Sequence, residues 1–539
     1  MNDEEDLQTR ATGHSILVHS TPLAAPIPDA PAAERKAGDL TDQLIETDVW
    51  TDEMVAAAGI PIKDFAFVSV GGGVGSFTLV DHLRIAGVPV QSIAVLTNID
   101  VPWQTYEYLT RMSQIPRPER LRSDSSGMPD NIWGFPSYAL KESRKERTLA
   151  PLWSVFSEPI FTDYWTPRAG TVFEALAAES ARIGFPETLH KGQVRMIRRR
   201  HGGGYFTVLT PPPGTSATHR VAFRSRFVHV AVGYPGLRFL ADLQAYRLQY
   251  NDSVRVVNAY EPHEHVYEAL INRGGTVLVR GGGIVASRIL QRLMEDRFNN
   301  GANTTIIHLF RTFIDGSHGD SVFYRRKGGD GWAYQGFNWP KGSWGGQVKH
   351  RVENLEGDER AALYKKLGGT HTPRRKLWQQ QMARARSEGW YNVAQGVVDD
   401  VRPTDDNRVV TQISSKDGSH NQLVADFVID ATGLEGDLRE HRVLADLLDH
   451  GGAARNPLGR LDVERTFEVR GTRSDSGRMY TSGSMALGGY YMGVDSFLGL
   501  QFAALAITDD LARQGFCHRI GVGRSLRQWW RWMRHRPVD

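Results

Sequence analysis

The chain has 539 residues, which exceeds what one hydrophobic core usually supports, so two or three domains are expected. Its 64 Lys and Arg residues nearly balance its 61 Asp and Glu residues, which excludes a nucleic-acid footprint over the whole molecule. The single cysteine, Cys517, excludes an intramolecular disulfide and a redox-active dithiol. No apolar run can span a bilayer and no secretory signal is found, so we expect a cytoplasmic protein.

The two ends of the chain differ in composition from the rest. Residues 1–40 are rich in Ala, Pro, Ser and charge without a sustained hydrophobic period, which predicts a disordered arm. Residues 516–539 form a basic tail in which arginines alternate with tryptophans. Such a tail is typical of a contact with a membrane surface or a partner protein, and equally of a helix docked on its own protein.

A glycine cluster follows the apolar run at residues 65–70 and precedes a helical pattern. A diphosphate docked on a helix N-terminus needs bare backbone amides that point at it and no Cβ in the way. Gly71, Gly73 and Gly75 supply those conditions, and Ser76 occupies the position where helix and strand pack closely. We therefore predict that these four residues bind a dinucleotide.

A second cluster of the same kind follows residues 276–280. Gly281 and Gly283 take the places of the first two glycines, and Ala286 takes the close-packing position. One such cluster predicts an ordinary turn about as well as a cofactor site, whereas two copies favour dinucleotide binding.

The chain after the first cluster supplies candidates for the ribose and the ring of that cofactor. Asn98 or Asp100 follows the second strand, where an acidic residue usually binds the ribose hydroxyls, although the usual glutamate is missing. Trp103, Ser123 and Asp124 lie in a long irregular stretch that is a candidate lining for a flavin ring. An ordinary surface loop explains that stretch equally well.

Two arginines follow the second cluster. Arg311 comes directly after the strand predicted at residues 304–309, where no acidic residue competes for a ribose hydroxyl, so it is the expected partner of an adenosine 2′-phosphate. Arg288, on the helix after the glycines, is a second candidate for a phosphate contact. Solvated surface charge is the alternative for both residues.

Further strands that end in glycine occur where a chain would cross beneath a bound dinucleotide. One strand at residues 227–232 precedes a Gly-Tyr-Pro-Gly sequence, and another at residues 427–430 precedes an Ala-Thr-Gly sequence that contains Gly433. A later strand leads to Gly483, and Asp495 opens the helix that follows. We predict cofactor contacts for Gly433, Gly483 and Asp495, with capping of the helix by Asp495 or Ser496 as the structural alternative.

In this order the motifs resemble those of flavoproteins with two dinucleotide-binding domains, most closely class B flavin-dependent monooxygenases and amine N-hydroxylases. The identifying motif of class B enzymes, Phe-x-Gly-x-x-x-His-x-x-x-Tyr or Phe, corresponds here to residues 257–267. His263 and Tyr267 match that motif, whereas Val257 and Ala259 depart from it, which indicates a diverged member. The resemblance implies a catalytic role for His263.

The resemblance also implies the fold and the cofactors. It implies an α/β fold with two Rossmann-like dinucleotide-binding domains, the NADPH domain being inserted into the FAD domain. The FAD domain is expected at residues 41–250 and 421–515, and the NADPH domain at residues 251–420. No metal site is expected, because the closely spaced histidines lack identifiable partner ligands.

The implied function is hydride transfer from NADPH to FAD, with the cofactors carrying the chemistry. Without a cysteine pair the electrons must pass to oxygen, a quinone or another acceptor. We favour a monooxygenase that oxidises a small nucleophilic substrate through a flavin hydroperoxide in a desolvated pocket. The aromatic stretch at residues 332–344 is a candidate to close that pocket, and a packed surface insertion explains it equally well. The alternatives are a membrane-surface NAD(P)H:quinone reductase, which the basic tail supports, and a nucleotide-binding assembly subunit without catalysis.

Overall fold

A computed structural model of the chain describes most of its residues. The described ranges are 38–121, 127–130, 136–157, 165–212, 220–316, 329–332, 346–367, 375–415, 418–434 and 436–538. The predicted arm lies almost wholly outside the described residues, as do Ser123, Asp124 and nearly all of the aromatic stretch at 332–344. The predictions for those segments stay predictions.

The strands are numbered in chain order. They are β1 (Val49–Trp50), β2 (Ile62–Asp64), β3 (Phe67–Val70), β4 (Ile93–Thr97), β5 (Leu189–Lys191), β6 (Gln193–Arg200), β7 (Tyr205–Thr210), β8 (Val221–Ser225), β9 (Phe227–Val230), β10 (Val256–Asn258), β11 (Gly275–Arg280), β12 (Thr304–Phe310), β13 (Tyr391–Gln395), β14 (Val397–Pro403), β15 (Val409–Ser414), β16 (His420–Ala425), β17 (Phe427–Asp430) and β18 (Arg478–Thr481).

The helices are numbered in the same way. They are α1 (Asp42–Glu46), α2 (Asp52–Ala57), α3 (Val74–Ile85), α4 (Gln104–Met112), α5 (Pro136–Glu146), α6 (Ala150–Ser157), α7 (Ala169–Ile183), α8 (Ala241–Tyr250), α9 (Glu264–Arg273), α10 (Ile284–Asn300), α11 (Gln347–Glu353), α12 (Gly357–Leu367), α13 (Lys376–Ser387), α14 (Arg442–Asp449), α15 (Phe497–Arg513) and α16 (Val522–Met533).

The first of two parallel sheets has the strand order β18-β9-β3-β4-β5. Every residue of β3 and β4 is buried, as expected for parallel strands covered on both faces. Helices α3 and α15 pack against each other beside this sheet. The carboxyl ends of β18, β9, β3 and β4 therefore meet at one edge, which the first glycine cluster follows.

The second parallel sheet has the strand order β10-β17-β11-β12-β13. Its strands all fall between β9 and β18 in the sequence, so the second unit is inserted into the first, and the predicted fold class is confirmed. The insertion is longer than the predicted domain limits suggest. Strand β17, placed in the FAD domain from the sequence, pairs within the second sheet, and α8 packs on its core through Leu243 and Tyr246.

Two smaller sheets complete the fold. A mixed sheet of order β1-β6-β7-β8-β2 packs beside the first parallel sheet, and the antiparallel sheet β14-β15-β16 lies beside the second. Within the part of the chain that the structure describes, no helix combines the length and the apolar character needed to cross a bilayer.

A buried cluster of ionisable groups lies between α3, α5 and α7. Asp81, Asp130 and Glu179 are each at most 3% exposed, and the one guanidinium among them, that of Arg182, forms a two-point ion pair with Glu179. The hydroxyl of Tyr138 donates to Asp130. Burial raises the pKa of Asp81 well above its usual range and that of Asp130 to about 7, so the fold favours their protonated forms.

Replacing Asp130 by asparagine should therefore reduce the pH dependence of stability. The stabilisation from a protonated Asp130 is complete below about pH 4 and is lost as the pH rises through about 7, because the folded-state pKa is the higher one. We expect Asp130→Asn to be more stable than the wild type at pH 8 by on the order of 1–3 kcal/mol, with a smaller difference at pH 5. Chemical denaturation at both pH values measures this.

The control is Asp405→Asn at an exposed position, which should leave the pH profile of the wild type unchanged. Identical profiles for Asp130→Asn and the wild type would contradict the assignment.

Candidate functional site

The first glycine turn crosses directly over the end of a neighbouring strand. Gly71 has φ of +132°, and a Cβ on it would lie 2.2 Å from the carbonyl oxygen of Ala231. Gly72 has φ of +77°, and its Cβ would lie 2.5 Å from that of Thr97. Both positions require glycine, because a side chain would be strained and would collide with fixed atoms.

The third glycine of that turn faces open space instead. Gly73 directly precedes α3, its φ is −77°, and among the described residues no atom beyond its own chain neighbours lies within 4 Å of where its Cβ would be. Among the described residues no side chain caps this helix end, and the first turn of an α-helix has backbone amides without an intrahelical partner. An uncapped helix N-terminus over a glycine turn is a ready site for a diphosphate.

A buried chain of hydrogen bonds connects the first glycine turn to the strands next to it. The Gly72 amide donates to Ser76 Oγ at 3.1 Å, and Ser76 Oγ lies 2.9 Å from Ser69 Oγ. The His229 ring connects Ser69 Oγ, 3.1 Å from Nδ1, to Ser482 Oγ, 2.9 Å from Nε2. Burial lowers the pKa of His229 to about 3, so the neutral ring links β3, β9 and the end of β18 to α3.

The second glycine turn repeats the geometry of the first. Gly281 has φ of +133°, and its Cβ would lie 2.3 Å from the carbonyl oxygen of Ala431. Gly283 directly precedes α10, and within the described part of the chain no side chain caps this helix and no atom beyond its chain neighbours lies within 4 Å of where its Cβ would be. Ala286, at the close-packing position, is fully buried against the sheet. We call the two turns, with the first residues of α3 and α10, the first and second cradles.

Each cradle has a side-chain anchor that the sequence analysis missed. The hydroxyl of Thr97 donates to the Gly71 carbonyl at 2.7 Å, and His308 Nε2 donates to the Gly281 carbonyl at 2.6 Å. The Tyr391 hydroxyl lies 2.7 Å from the other ring nitrogen, and burial lowers the pKa of His308 to about 4. Both anchors are polar residues near the end of an otherwise apolar strand, and that feature of the sequence could have identified them.

The residues predicted to bind the first ribose follow β4 at the sheet edge. Asn98 and Asp100 are both exposed there, and Asp100 forms an ion pair with Lys191 Nζ at 2.9 Å. Trp103 is half-buried against the core at the start of α4. Asn98 is thus accessible at the sheet edge, whereas the ion pair connects Asp100 to the last residue of β5.

The two predicted arginines of the second unit have different surroundings. Arg311 is exposed directly after β12, next to Phe310, whose ring lies 3.7 Å from where a Cβ on Gly282 would be. Arg288 is 3% exposed, donates to the Gln114 carbonyl and pairs with Glu295 at 3.2 Å. Of these two arginines, Arg311 is the exposed one, and it follows the strand that ends beside the second cradle.

The element after β18 brings further predicted residues to the first cradle. Gly483 has φ of +70°, and a Cβ on Gly75 would lie 3.4 Å from the neighbouring Ser482 Oγ. The cap of α15 is Ser496, which accepts from the Gly499 amide.

Of the two residues predicted as alternative caps, Asp495 and Ser496, the second therefore caps the helix. Asp495 itself is exposed and accepts a hydrogen bond from Tyr234 at 2.8 Å. Tyr234 belongs to the Gly-Tyr-Pro-Gly link between the units, so Asp495 ties that link to the start of α15. Gly433, in the other link, has φ of +123° and open space where a Cβ would be.

His263 lies outside both cradles. Its side chain is 1% exposed, its Nδ1 is 2.6 Å from the Glu261 carbonyl, and its Nε2 is 3.0 Å from the Tyr267 hydroxyl. Burial lowers the pKa of His263, so its ring is neutral. Both ring nitrogens form hydrogen bonds to neighbours in the sequence, Glu261 and Tyr267. A cleft of about 640 Å³ borders His263 and Arg288, and its lining includes neither glycine cluster. The catalytic role of His263 stays a prediction.

Comparisons with known proteins find relatives by structure. No protein-family model matches the chain, and no curated protein matches it. The ornithine hydroxylase of Pseudomonas aeruginosa aligns with a TM-score of 0.58 at 15% identity, over 84% of this chain and 100% of that one. The ornithine N-hydroxylase of Kutzneria sp. 744 aligns at 0.59 and 13% identity, over 84% and 100%.

A third solved structure is the FAD-bound cadaverine monooxygenase of Erwinia amylovora, with a TM-score of 0.60 at 12% identity, over 84% of this chain and 96% of that one. At such identities the likeness shows the fold. It confirms at that level the resemblance to class B flavin-dependent monooxygenases and amine N-hydroxylases.

The hydrogen-bond chain under the first cradle can be tested through Ser76. Ser76→Ala keeps a small residue at the helix crossing but removes the acceptor of the Gly72 amide and the partner of Ser69. We expect a loss of roughly 1–3 kcal/mol in the free energy of unfolding, measured by denaturant titration.

The matched control is Ser143→Ala. The Ser143 hydroxyl is buried and has no hydrogen-bond partner among the described residues, so its removal breaks no hydrogen bond there and should not destabilise the protein. Equal effects of the two substitutions would refute the role given to Ser76.

Proposed function

We propose that the chain is an FAD-dependent oxidoreductase that takes hydride from NADPH. The observation that carries the proposal is the pair of cradles, each an uncapped helix N-terminus beside open space over a strained glycine turn. Backbone amides in that setting favour a diphosphate anion, and both cofactors contain one. Two cradles in one chain would hold two dinucleotides, as hydride transfer from NADPH to FAD requires.

The residues present fit these cofactors. At the first cradle, Gly71, Gly73 and Gly75 would receive the FAD diphosphate, and Asn98 or Asp100 would face its ribose. Gly483 and Asp495 would lie on the pyrimidine side of the flavin, and Trp103 beside its ring, with Ser123 and Asp124 as further predicted contacts. At the second cradle, Gly281, Gly283 and Ala286 would receive NADPH, with Arg311 at its 2′-phosphate and Gly433 below the cofactor.

Bound FAD supplies hydride acceptance and onward transfer of the electron pair. The chain has one cysteine, so a dithiol cannot receive those electrons. We favour a monooxygenase that acts on a small nucleophilic substrate through a flavin hydroperoxide. Support comes from the fold relatives, which are described as hydroxylases or monooxygenases of ornithine and cadaverine. An amine is therefore the first substrate class to test.

A membrane-surface NAD(P)H:quinone reductase is the second candidate. Large apolar side chains on α16 are exposed beside arginines, which favours an encounter with a lipid-soluble acceptor. Both candidates share reduction of the flavin by NADPH and differ in what reoxidises it.

The two cradles can be disabled separately. Gly73→Ala and Gly283→Ala each add a Cβ into open space at unstrained φ, so the fold should be retained while the space for a diphosphate is filled. We expect Gly73→Ala to lower the flavin content of the purified protein by about tenfold or more. Gly283→Ala should keep its flavin but raise the KM for NADPH by a similar factor.

Gly523→Ala is the matched control, since a Cβ there also meets open space but lies on α16, far along the chain from both turns. It should change neither flavin content nor KM. Normal flavin and NADPH parameters in both cradle variants would contradict the proposed sites.

Coenzyme preference can be tested at Arg311. Arg311→Ala should raise the KM for NADPH by roughly tenfold or more and leave the KM for NADH nearly unchanged, because only NADPH carries the 2′-phosphate. Arg311→Lys, which retains the charge, should show a smaller effect. Equal effects on both coenzymes would place Arg311 outside the 2′-phosphate contact.

The acceptor of the electrons is tested by reoxidation of the reduced protein. A monooxygenase predicts NADPH-dependent oxygen consumption that yields hydroxylated amine with diamine or basic amino-acid substrates. Fast reoxidation by a quinone without a hydroxylated product would favour the reductase. Retention of nucleotides without NADPH turnover would favour the assembly subunit instead.

A further inference from the structure

One face of α16 is packed into the protein. Gln528 and Trp532 on that face are 0% and 4% exposed. The Trp532 ring lies edge-on to Tyr138 at 5.2 Å, and Lys141 Nζ lies 3.6 Å from its centroid. The predicted basic tail is therefore a helix docked on its own protein, and its orientation is fixed by α5.

The opposite face of α16 is apolar and exposed. Val522, Leu526 and Trp530 are 79%, 61% and 51% exposed. They are spaced four residues apart, which places them in one stripe along the helix. A stable helix with one face buried and a second apolar face in contact with solvent indicates a binding surface.

A second helix shows the same feature. Leu149, Trp153 and Phe156, at the start of and along α6, are 76%, 68% and 73% exposed, whereas Leu152 and Val155 pack into the core. Helix α5 contacts α6 and also carries the residues that hold Trp532 of α16. The two exposed apolar stripes thus flank one connecting helix, and we call them together the α6–α16 face.

The charges around this face are cationic. Residues 511–538 contain seven arginines and no acidic residue. Arg527 and Arg534 are exposed next to the apolar stripe of α16. On α5, Glu142 is paired with Arg120, and Glu146 with a second arginine, so the acidic charge there is compensated. A surface with exposed Trp, Phe and Leu among arginines suits an anionic lipid bilayer.

We propose that the α6–α16 face binds an anionic membrane surface, with both helices lying in the plane of the interface. Trp153, Phe156, Leu526 and Trp530 enter the boundary between headgroups and acyl chains, and the arginines contact lipid phosphates. Tryptophan is favoured at that depth because its ring is apolar and its N–H is polar. A bilayer also accommodates two separate stripes without the fixed shape that a protein partner must match. This role does not require bound FAD or NADPH, and it would also suit the membrane-surface reductase named above as the second candidate.

The test is flotation of the flavin-loaded full chain with vesicles. One set contains phosphatidylcholine alone, and the other contains phosphatidylcholine with phosphatidylglycerol. We expect binding to the anionic vesicles that weakens in high salt, and little binding to the neutral ones. Leu526→Ser/Trp530→Ser and Trp153→Ser/Phe156→Ser should each lower the anionic-vesicle partition coefficient by about tenfold or more.

The matched control is Leu248→Ser, which removes a leucine that is 76% exposed on α8, away from the face. It should bind vesicles as the wild type does. Unchanged flavin content and melting temperature show that all variants remain folded, since every replaced side chain is largely exposed.

Three outcomes would overturn the proposal. The first is no flotation of the wild type with anionic vesicles, and the second is equal flotation of the wild type and both double variants. The third is concentration-dependent dimerisation, detected by light scattering, that both double variants abolish while vesicle binding is absent. That result would identify a second copy of the chain as the occupant of the face.

Discussion

The site depends on one steric constraint, a glycine backbone passing over the end of a parallel strand with no room for a side chain. A Cβ on Gly71 would lie 2.2 Å from the Ala231 carbonyl oxygen, and one on Gly281 would lie 2.3 Å from that of Ala431. The same alanines donate their amides to Val70 and Arg280, the residues that end the two strands before the glycines. Each turn is therefore locked to the strand end beside it, and each helix start is aimed at the open space.

The hydrogen bonds of Ala231 and Ala431 also connect the cradles to the segments that join the two units. Ala231 begins the Gly-Tyr-Pro-Gly link and Ala431 begins the Ala-Thr-Gly link, so both passages between the units start at a cradle. Tyr234 in the first link donates to Asp495, which precedes the capped start of α15.

Local pattern predicted the strands, turns and helices of both cradles well, because a buried strand followed by glycines leaves few other conformations. The hydrophobic pattern did not show which sheet β17 joins, because an apolar run in the sequence does not specify which strands it pairs with. Thr97 and His308 were missed because their partners are backbone carbonyls some 26 and 27 positions away in sequence. The docking of α16 likewise depends on Tyr138 and Lys141, which are distant along the chain.

The central claim is that two dinucleotides meet in one chain so that hydride passes between them. The most direct measurement is anaerobic mixing of the flavin-loaded protein with NADPH while the visible absorbance of the flavin is followed. The account predicts rapid and complete bleaching by one equivalent of NADPH. A flavin that stays oxidised in excess NADPH, or a purified chain that binds no flavin, would contradict it.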